Sequence, residues 1–154
     1  MAADDRTQDE ILRDLLEHVV EGLGLEATVT VDVNEEAITG TLHGEDLGIF
    51  IGRHGQTIDA IQYLLNAVGW RTYGEERREV VVDAADYRAR RQATLESLAL
   101  RVADRVRESG EPEELEPMTA VERKVVHLRL KDVSGVGTTS EGTEPNRYVV
   151  VVPE

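Results

Sequence analysis

The stretch GIFIGRHGQTIDAIQYLLN, residues 48–66, decides how the first half of this chain is interpreted. Gly52 and Gly55 enclose an arginine and a histidine, and apolar residues at helical spacing follow directly after them. Glycine permits backbone conformations that are closed to other residues, and it lacks the Cβ atom that holds a ligand away from the backbone. The segment is therefore either a plain turn or a place where a negatively charged group approaches the mouth of a helix very closely.

The residues on either side of this loop predict an alternation of helices and strands. Thr7 and Glu10 form a capping box, which opens an amphipathic helix that ends near Gly22. Alternating and β-branched residues predict the strands, and the apolar middle of the last strand predicts burial on both of its faces. The other predicted elements are strands at 27–33, 37–44 and 78–84, a short helix at 45–51 and a helix after residue 55.

The second half begins with one long helix, predicted over residues 84–109 and ended by Gly110. Because no flexible linker precedes it, we expect this helix to join the two halves. The sequence thus predicts an α+β chain of two domains, one at 1–84 and the other at 85–154.

The C-terminal third predicts a helix followed by a hairpin. A second capping box, Thr119 with Glu122, opens a helix that runs to Leu130. Residues 136–153 then predict two strands around a turn of Gly, Pro and Asn, of which the second strand, at 147–152, is the stronger.

The charge is unevenly distributed along the 154 residues. The formal net charge is −14, yet residues 1–47 alone carry 13 acids and 2 bases, whereas residues 48–91 have a net charge of +1. An acidic surface repels phosphate, so nucleic acid would bind where acids are few. The simplest interpretation of the N-terminal acids is a solvated helix face. Alternatively, they repel RNA from the surface of the protein that does not bind it, or they attract a basic partner. Arginine outnumbers lysine 15 to 2, which suits phosphate recognition but is equally explained by codon bias.

Several function classes find no support in the residues. There are no cysteines, so neither a disulfide framework nor a thiolate metal site exists. The four histidines lack metal-ligand spacing, no Ser–His–acid set can be nominated, and the glycines do not have nucleotide-loop spacing. We expect neither an enzyme nor a cofactor. The acidic start and the lack of a long apolar run predict a cytoplasmic protein without membrane insertion.

The glycine loop, Gly52-Arg53-His54-Gly55, lies between two helical stretches inside the predicted order of elements. With this context, residues 8–83 resemble the bacterial, type II KH domain. The resemblance implies an α-β-β-α-α-β domain, in which a three-stranded sheet has helices on one face and the loop binds RNA. Physically, the glycines, Arg53, His54 and the helix N-terminus would clamp a few nucleotides of backbone.

A second motif lies in EPMTAVERKVVHLRL, where Arg123 and His127 stand four residues apart on one face of a helix. Together with the following run TTSEGTEPNRYVVVVP, it resembles the R-3-H domain, a small α/β module that binds single-stranded nucleic acid. Arg123 would hold a phosphate, and His127 would donate to a phosphate or stack on a base, with Lys124 and Arg147 widening the patch. Alternatively, His127 has a structural role and orients the arginine.

A KH domain followed by an R-3-H domain resembles the Jag family, also called the KhpB or SpoIIIJ-associated family. The resemblance covers about residues 8–153. It implies a single-stranded RNA-binding protein, acting as an RNA chaperone or post-transcriptional regulator with a small KH-only partner, KhpA. It also implies an influence on cell-envelope homeostasis, elongation and division. Many members carry a further N-terminal Jag domain, and the resemblance of residues 8–153 implies no role that belongs to that domain.

A different class of function stays open beside this one. The chain would then be a protein-interaction adaptor, whose KH sheet or loop mediates dimerisation with a KH-only partner or a second copy. Its own affinity for RNA would be small. Single-stranded DNA is a further ligand that both modules tolerate.

Overall fold

The computed structural model describes residues 6–154; residues 1–5, which include two of the N-terminal acids counted above, lie outside the described residues. Two compact units follow one another along the chain, one ending at Arg88 and the other beginning at Ala89. Both units combine helices with strands, which confirms the predicted α+β class.

Between residues 6 and 88, the first unit contains three helices and three strands. They are α1 (Gln8–Gly22), β1 (Ala27–Val33), β2 (Ala37–Gly44), α2 (Gly48–Ile51), α3 (Gln56–Tyr73) and β3 (Glu79–Ala84), with 3₁₀ turns at Arg53–Gly55 and Gly74–Glu76. The strand order is β1-β2-β3, with the first pair antiparallel and the second parallel. A parallel pair needs a crossover connection, which α2, the glycine loop and α3 supply.

The core of the first unit lies between the sheet and the helices α1 and α3. Ile38 and Leu42 of β2 are buried and alternate with half-buried residues. Val80 and Val82 of β3 are likewise buried, whereas Val81 between them is only half-buried. The prediction that β3 is buried on both faces is therefore wrong, because the helices cover one face of the sheet.

The second unit contains two helices and a three-stranded antiparallel sheet. Its elements are α4 (Tyr87–Ser109), whose first two residues belong to the first unit, β4 (Glu113–Glu114), α5 (Ala120–Leu130), β5 (Val136–Glu141) and β6 (Tyr148–Pro153). The strand order is β4-β6-β5, so the strong strand of the predicted hairpin is central. Val149 and Val151 of β6 pack with Leu95 and Val102 of α4 and with Val126 of α5. The two-residue strand β4 has no alternating pattern, and the sequence does not predict it.

Both predicted capping boxes are present. The backbone N–H of Thr7 donates to the carboxylate of Glu10 at 2.9 Å. In α5, the backbone N–H of Thr119 donates to the Glu122 carboxylate at 3.1 Å, and the backbone N–H of Glu122 donates to the Thr119 hydroxyl at 3.3 Å. These local bonds satisfy amide groups that a helix N-terminus otherwise leaves without a partner.

Two helices, α2 and α4, begin three residues later than predicted. The backbone before each of them is left-handed, at Asp46 (φ 52°), Ala85 (φ 48°) and Asp86 (φ 54°). A right-handed helix does not pass through residues in this conformation. The delayed starts are therefore set by the turns that precede the helices.

Candidate nucleic-acid interface

The loop between α2 and α3 has a backbone that requires glycine at two positions. Gly52 adopts φ 74° and ψ 177°, a region essentially closed to other residues, and Gly55 adopts φ 77° and ψ 14°. A Cβ atom at Gly52 would lie 2.8 Å from both the backbone nitrogen and the Cβ atom of Thr57. Backbone conformation and lack of space therefore both exclude a side chain at the first glycine.

The two residues between the glycines have different environments. Arg53 is exposed, and within residues 6–154 it forms no ion pair. His54 is half-buried and left-handed, with φ 51° and ψ 28°. The 18-residue helix α3 follows, and its N-terminus has no hydrogen bond from a capping side chain of the described residues. An exposed guanidinium and the positive end of a helix dipole thus lie together, a combination that attracts anions such as phosphate.

Gly55 is buried against Tyr87, the first residue of α4. A Cβ atom at Gly55 would lie 2.7 Å from Cε1 of that ring. The sequence predicts Tyr87 as part of the long helix over residues 84–109, with no role in the loop. No local pattern could have revealed the contact, because the two residues are far apart in the sequence.

Arg123 is buried in the second unit and has two hydrogen-bond partners. Its Nη1 donates to the carbonyl of Met118 at 2.8 Å, and its Nη2 donates to the carboxylate of Glu144, in the turn between β5 and β6, at 2.7 Å. The carboxylate of Glu122 does not pair with Arg123; it accepts a hydrogen bond from Nε of Arg91, in α4, at 2.7 Å. Arg123 therefore ties the start of α5 to the hairpin turn and exposes little of its guanidinium.

His127 is held between two hydroxyl groups of β5. Its Nδ1 lies 2.7 Å from Oγ1 of Thr138, and its Nε2 lies 2.8 Å from Oγ of Ser140. A neutral imidazole donates at one nitrogen and accepts at the other, which suits two hydroxyl partners. Burial, and after it the positive charge of Arg123, lowers the pKa of His127 from its ordinary value. This geometry agrees with the structural role that the sequence left open for His127.

The other two candidate residues of the second unit are Lys124 and Arg147. Lys124 is exposed on α5. Arg147 is half-buried before β6, and its Nε is buried without a hydrogen-bond partner among residues 6–154. The carbonyl of Arg147 accepts from the backbone N–H of Met118 at 3.1 Å. The backbone of Met118 thus bonds to both arginines: its N–H donates to the carbonyl of Arg147, and its carbonyl accepts from the guanidinium of Arg123. The exposed Lys124 follows Arg123 directly in the sequence.

The described part of the chain has neither a metal-ligand cluster nor a helix suited to span a membrane. Between residues 6 and 154, no three His, Asp or Glu side chains are grouped so that they could hold a metal ion. Among the helices of the same residues, none has both the length and the apolar character needed to cross a membrane.

Two protein families match this chain. The family of KhpA/KhpB KH domains matches residues 11–82, which contain the glycine loop. The R-3-H domain family matches residues 93–153, which contain Arg123 and His127. Both resemblances drawn from the sequence are confirmed by these matches.

Curated relatives extend over both domains. A protein of Clostridium symbiosum named RNA-binding protein KhpB is 36% identical over 146 residues, which are 94% of this chain and 65% of the relative. Proteins of the same name from Lactiplantibacillus plantarum and Bacillus subtilis are 40% and 32% identical, over 97% and 88% of this chain and 46% and 66% of their own lengths. The chain thus spans less than two thirds of each of these relatives. With a KhpA/KhpB-type KH domain followed by an R-3-H domain, it belongs to the KhpB (Jag) family.

Proposed function

We propose that this chain binds single-stranded RNA, with the loop from Gly52 to Gly55 as its main site and the R-3-H domain as a second site. The loop carries this proposal: two glycine conformations flank an exposed Arg53 at the N-terminus of α3. The name of the relatives, RNA-binding protein KhpB, supports RNA as the ligand.

Phosphate is the group that the loop suits best. Because Gly52 and Gly55 have no Cβ atoms, a sugar–phosphate chain can approach the backbone and the positive end of α3 closely. Arg53 adds a planar fork that holds two phosphate oxygens at once. A single strand is favoured over a duplex, because a loop of this size contacts only a few nucleotides and unpaired bases stay free to contact the surface beside it.

In the R-3-H domain, Lys124 and Arg147 are proposed to contact phosphate directly. Arg123 and His127 have a supporting part there, since both are held by hydrogen bonds that connect α5 to the hairpin. A phosphate would reach Arg123 by displacing the carboxylate of Glu144, which lies 2.7 Å from it. Two modest sites in one chain raise the affinity for a strand that reaches both, because the second contact becomes intramolecular.

The proposal extends to the role that the family resemblance implies. The protein would act in the cytoplasm as an RNA chaperone or post-transcriptional regulator, together with a small KH-only protein of the KhpA kind. Cell-envelope homeostasis, elongation and division are the processes it would influence. Residues 1–84 would form the KH domain and residues 85–154 the R-3-H domain, and single-stranded DNA is a second candidate ligand.

A second candidate function, a protein-interaction adaptor, is favoured by the outer face of α3. This face is exposed and apolar, and it consists of Ala60, Tyr63, Leu64, Ala67 and Trp70. From Ala60 to Trp70 this face has no charged residue, but the exposed Arg71 follows on the same side of the helix, and the guanidinium of Arg77 lies 4.8 Å from the centroid of the Trp70 ring. Ile58, Leu65 and Gly69 on the other side of the helix are buried. Exposed apolar faces bordered by arginine are typical of surfaces that a protein partner covers. The occupant would be a KH-only partner or a second copy of the KH domain.

Fluorescence anisotropy of a labelled single-stranded RNA over a salt series tests the first function. Wild type is compared with the loop variant Arg53→Asp/His54→Asp, in which two anions face the phosphate, and with Lys124→Ala. We expect the loop variant to lose most of its affinity and Lys124→Ala to lower the log–log salt slope by about 0.7, the value for one contact to a single strand.

Size exclusion of the chain co-expressed with a KH-only protein tests the second function. A stable complex with no RNA affinity at physiological salt would establish the adaptor function and refute RNA binding by the glycine loop. RNA binding that is identical in wild type and in the loop variant would show that GRHG is only a turn.

A further inference from the structure

We infer that Tyr87 and Arg88, in the first turn of α4, are positioning residues of the loop Gly52–Gly55. The inference rests on the proposed function of that loop and adds to it the two side chains that fix the conformation of the loop. Both residues lie beyond residue 82, where the match to the KH family ends. They also lie beyond residue 84, where the sequence predicts that the KH domain ends.

Tyr87 packs on the second glycine of the loop. A Cβ atom built on Gly55 would lie 2.7 Å from Cε1, 3.0 Å from the hydroxyl oxygen and 3.2 Å from Cζ of the ring. The ring thus occupies the space that a side chain would fill, directly against the backbone of a buried residue. Because Gly55 is also the N-cap of α3, the ring supports the point where the loop becomes a helix.

Arg88 fastens the first turns of α3. Its Nη1 donates to the carboxylate of Asp59 at 2.9 Å, its Nη2 donates to the amide oxygen of Gln62 at 3.0 Å, and its Nε donates to the carbonyl of Val82 at 2.8 Å. One guanidinium therefore joins α3 to β3, next to the loop that is proposed to bind phosphate. Arg88 also offsets the negative charge of Asp59, which would otherwise repel an anion at the N-terminal end of this helix.

The turn that delivers both side chains is strained. Ala85 and Asp86 are consecutive residues with φ 48° and 54°, a conformation that costs about 1–2 kcal/mol for each residue other than glycine. Several bonds hold the turn. Among them, the N–H of Ala85 donates to the carbonyl of Leu42 at 3.1 Å, and the N–H of Arg88 donates to the carboxylate of Asp83 at 3.3 Å. A helix continuing straight from β3 would avoid this cost, so we infer that the strained turn is retained because it brings Tyr87 and Arg88 onto the loop and α3.

The test uses the full chain and two variants at one position. In Tyr87→Phe the ring remains and the hydroxyl is lost, whereas in Tyr87→Ala the ring is lost. We expect Tyr87→Phe to bind a labelled single-stranded RNA within about twofold of wild type and Tyr87→Ala to bind at least about fivefold more weakly, the low end of measured coupling between sites. In the Arg53→Asp/His54→Asp background, Tyr87→Ala should cause no further loss, because a positioning residue acts only through the loop.

Hydrogen exchange separates positioning from general destabilisation. In Tyr87→Ala, the amides of Gly55, Gln56 and Thr57 should exchange faster, while those of β2 stay as in wild type. Arg88→Lys is the second variant, since a point charge cannot hold Asp59, Gln62 and Val82 together. It should also weaken RNA binding and leave β2 protected.

Each result has a defined consequence. Equal RNA affinity of Tyr87→Ala and wild type, or an equal loss with and without the loop substitutions, would overturn the inference. If the loop variant itself binds RNA like wild type, the proposed function fails, and the exchange of Gly55–Thr57 alone decides whether Tyr87 orders the loop. Unchanged exchange there would overturn the inference independently of RNA.

Discussion

Glu144 accepts a hydrogen bond from Arg123 across 2.7 Å, and the two side chains differ in exposure, with 58% of the glutamate but only 8% of the arginine accessible to solvent. The carboxylate thus closes the solvent side of a buried guanidinium. It stands where a phosphate oxygen would have to lie in order to reach Arg123.

Replacing this carboxylate should affect stability and RNA binding in opposite directions. Glu144→Gln should lower the free energy of unfolding by about 1 kcal/mol, because an amide oxygen still accepts the bond but does not offset the buried charge. The affinity for single-stranded RNA should rise, since the competing anion is gone. Urea unfolding and anisotropy measure the two effects, with Glu141→Gln as a control that removes an exposed carboxylate of β5. Equal RNA affinities of the two variants would contradict competition at Arg123.

A side chain at the first glycine of the loop should be poorly tolerated. Gly52→Ala should lower the free energy of unfolding by about 2–3 kcal/mol, because the backbone conformation is closed to alanine and the new methyl group would meet Thr57. Gly24→Ala is the matched control. Gly24 has φ +66° but nothing within 4 Å of a Cβ atom, so only the conformational cost of about 1 kcal/mol is expected. Similar urea midpoints for the two variants would refute crowding at Gly52.

The histidine of the R-3-H domain should make stability depend on pH. Burial lowers the pKa of His127 below 6.5, so the unfolded chain takes up its proton first as the pH falls through 6.5. Unfolding is thereby favoured, and wild type should lose stability relative to His127→Gln between about pH 7.5 and about pH 5.5. Above about pH 7.5, where His127 is neutral in both states, the difference between the two proteins should be constant.

His18 provides a control with the opposite sign. A hydrogen bond with the backbone carbonyl of Asp14, and after it the charge of the Asp14 carboxylate, raises the pKa of His18 from 6.5. Its contribution is present at low pH and lost as the pH rises through the folded pKa, so His18→Gln should lose stability relative to wild type in acid. Urea unfolding at three pH values compares the variants. Parallel pH profiles of wild type and His127→Gln would contradict the lowered pKa.

The outer face of α3 should mediate association without contributing to the core. Leu64 is 62% exposed, so Leu64→Glu should leave the urea midpoint almost unchanged and yet abolish the complex with a KH-only partner or a second copy. Leu128→Glu, at a residue of α5 that is 60% exposed, places the same charge on the other unit. Light scattering after size exclusion should show loss of the complex for Leu64→Glu alone. Loss for both variants, or for neither, would refute this assignment.

The sequence by itself determined those features that depend on neighbours a few residues apart. Thr7 with Glu10 and Thr119 with Glu122 open their helices as predicted, because a capping box is closed within one helical turn. The strands β1 and β2 have their predicted bounds, since the alternation of their residues records which side faces the core.

The two family assignments also came from local motifs. The glycine loop and the spacing of Arg123 and His127 each lie within a short segment, so they are readable without a structure. What the motifs do not contain is the surroundings of their side chains. The sequence could name Arg123 as a phosphate ligand, but not show that its guanidinium is buried behind Glu144.

Only the tertiary structure decided which distant residues meet. It placed Tyr87 on Gly55 and Arg88 on Asp59, and it covered only one face of β3 with helices. The left-handed turn at Ala85 and Asp86, which delayed α4, depends on bonds to β2 and to the helix that follows. Such contacts join residues far apart in sequence, and no pattern within a single helix or strand records them, because their energy depends on packing between elements.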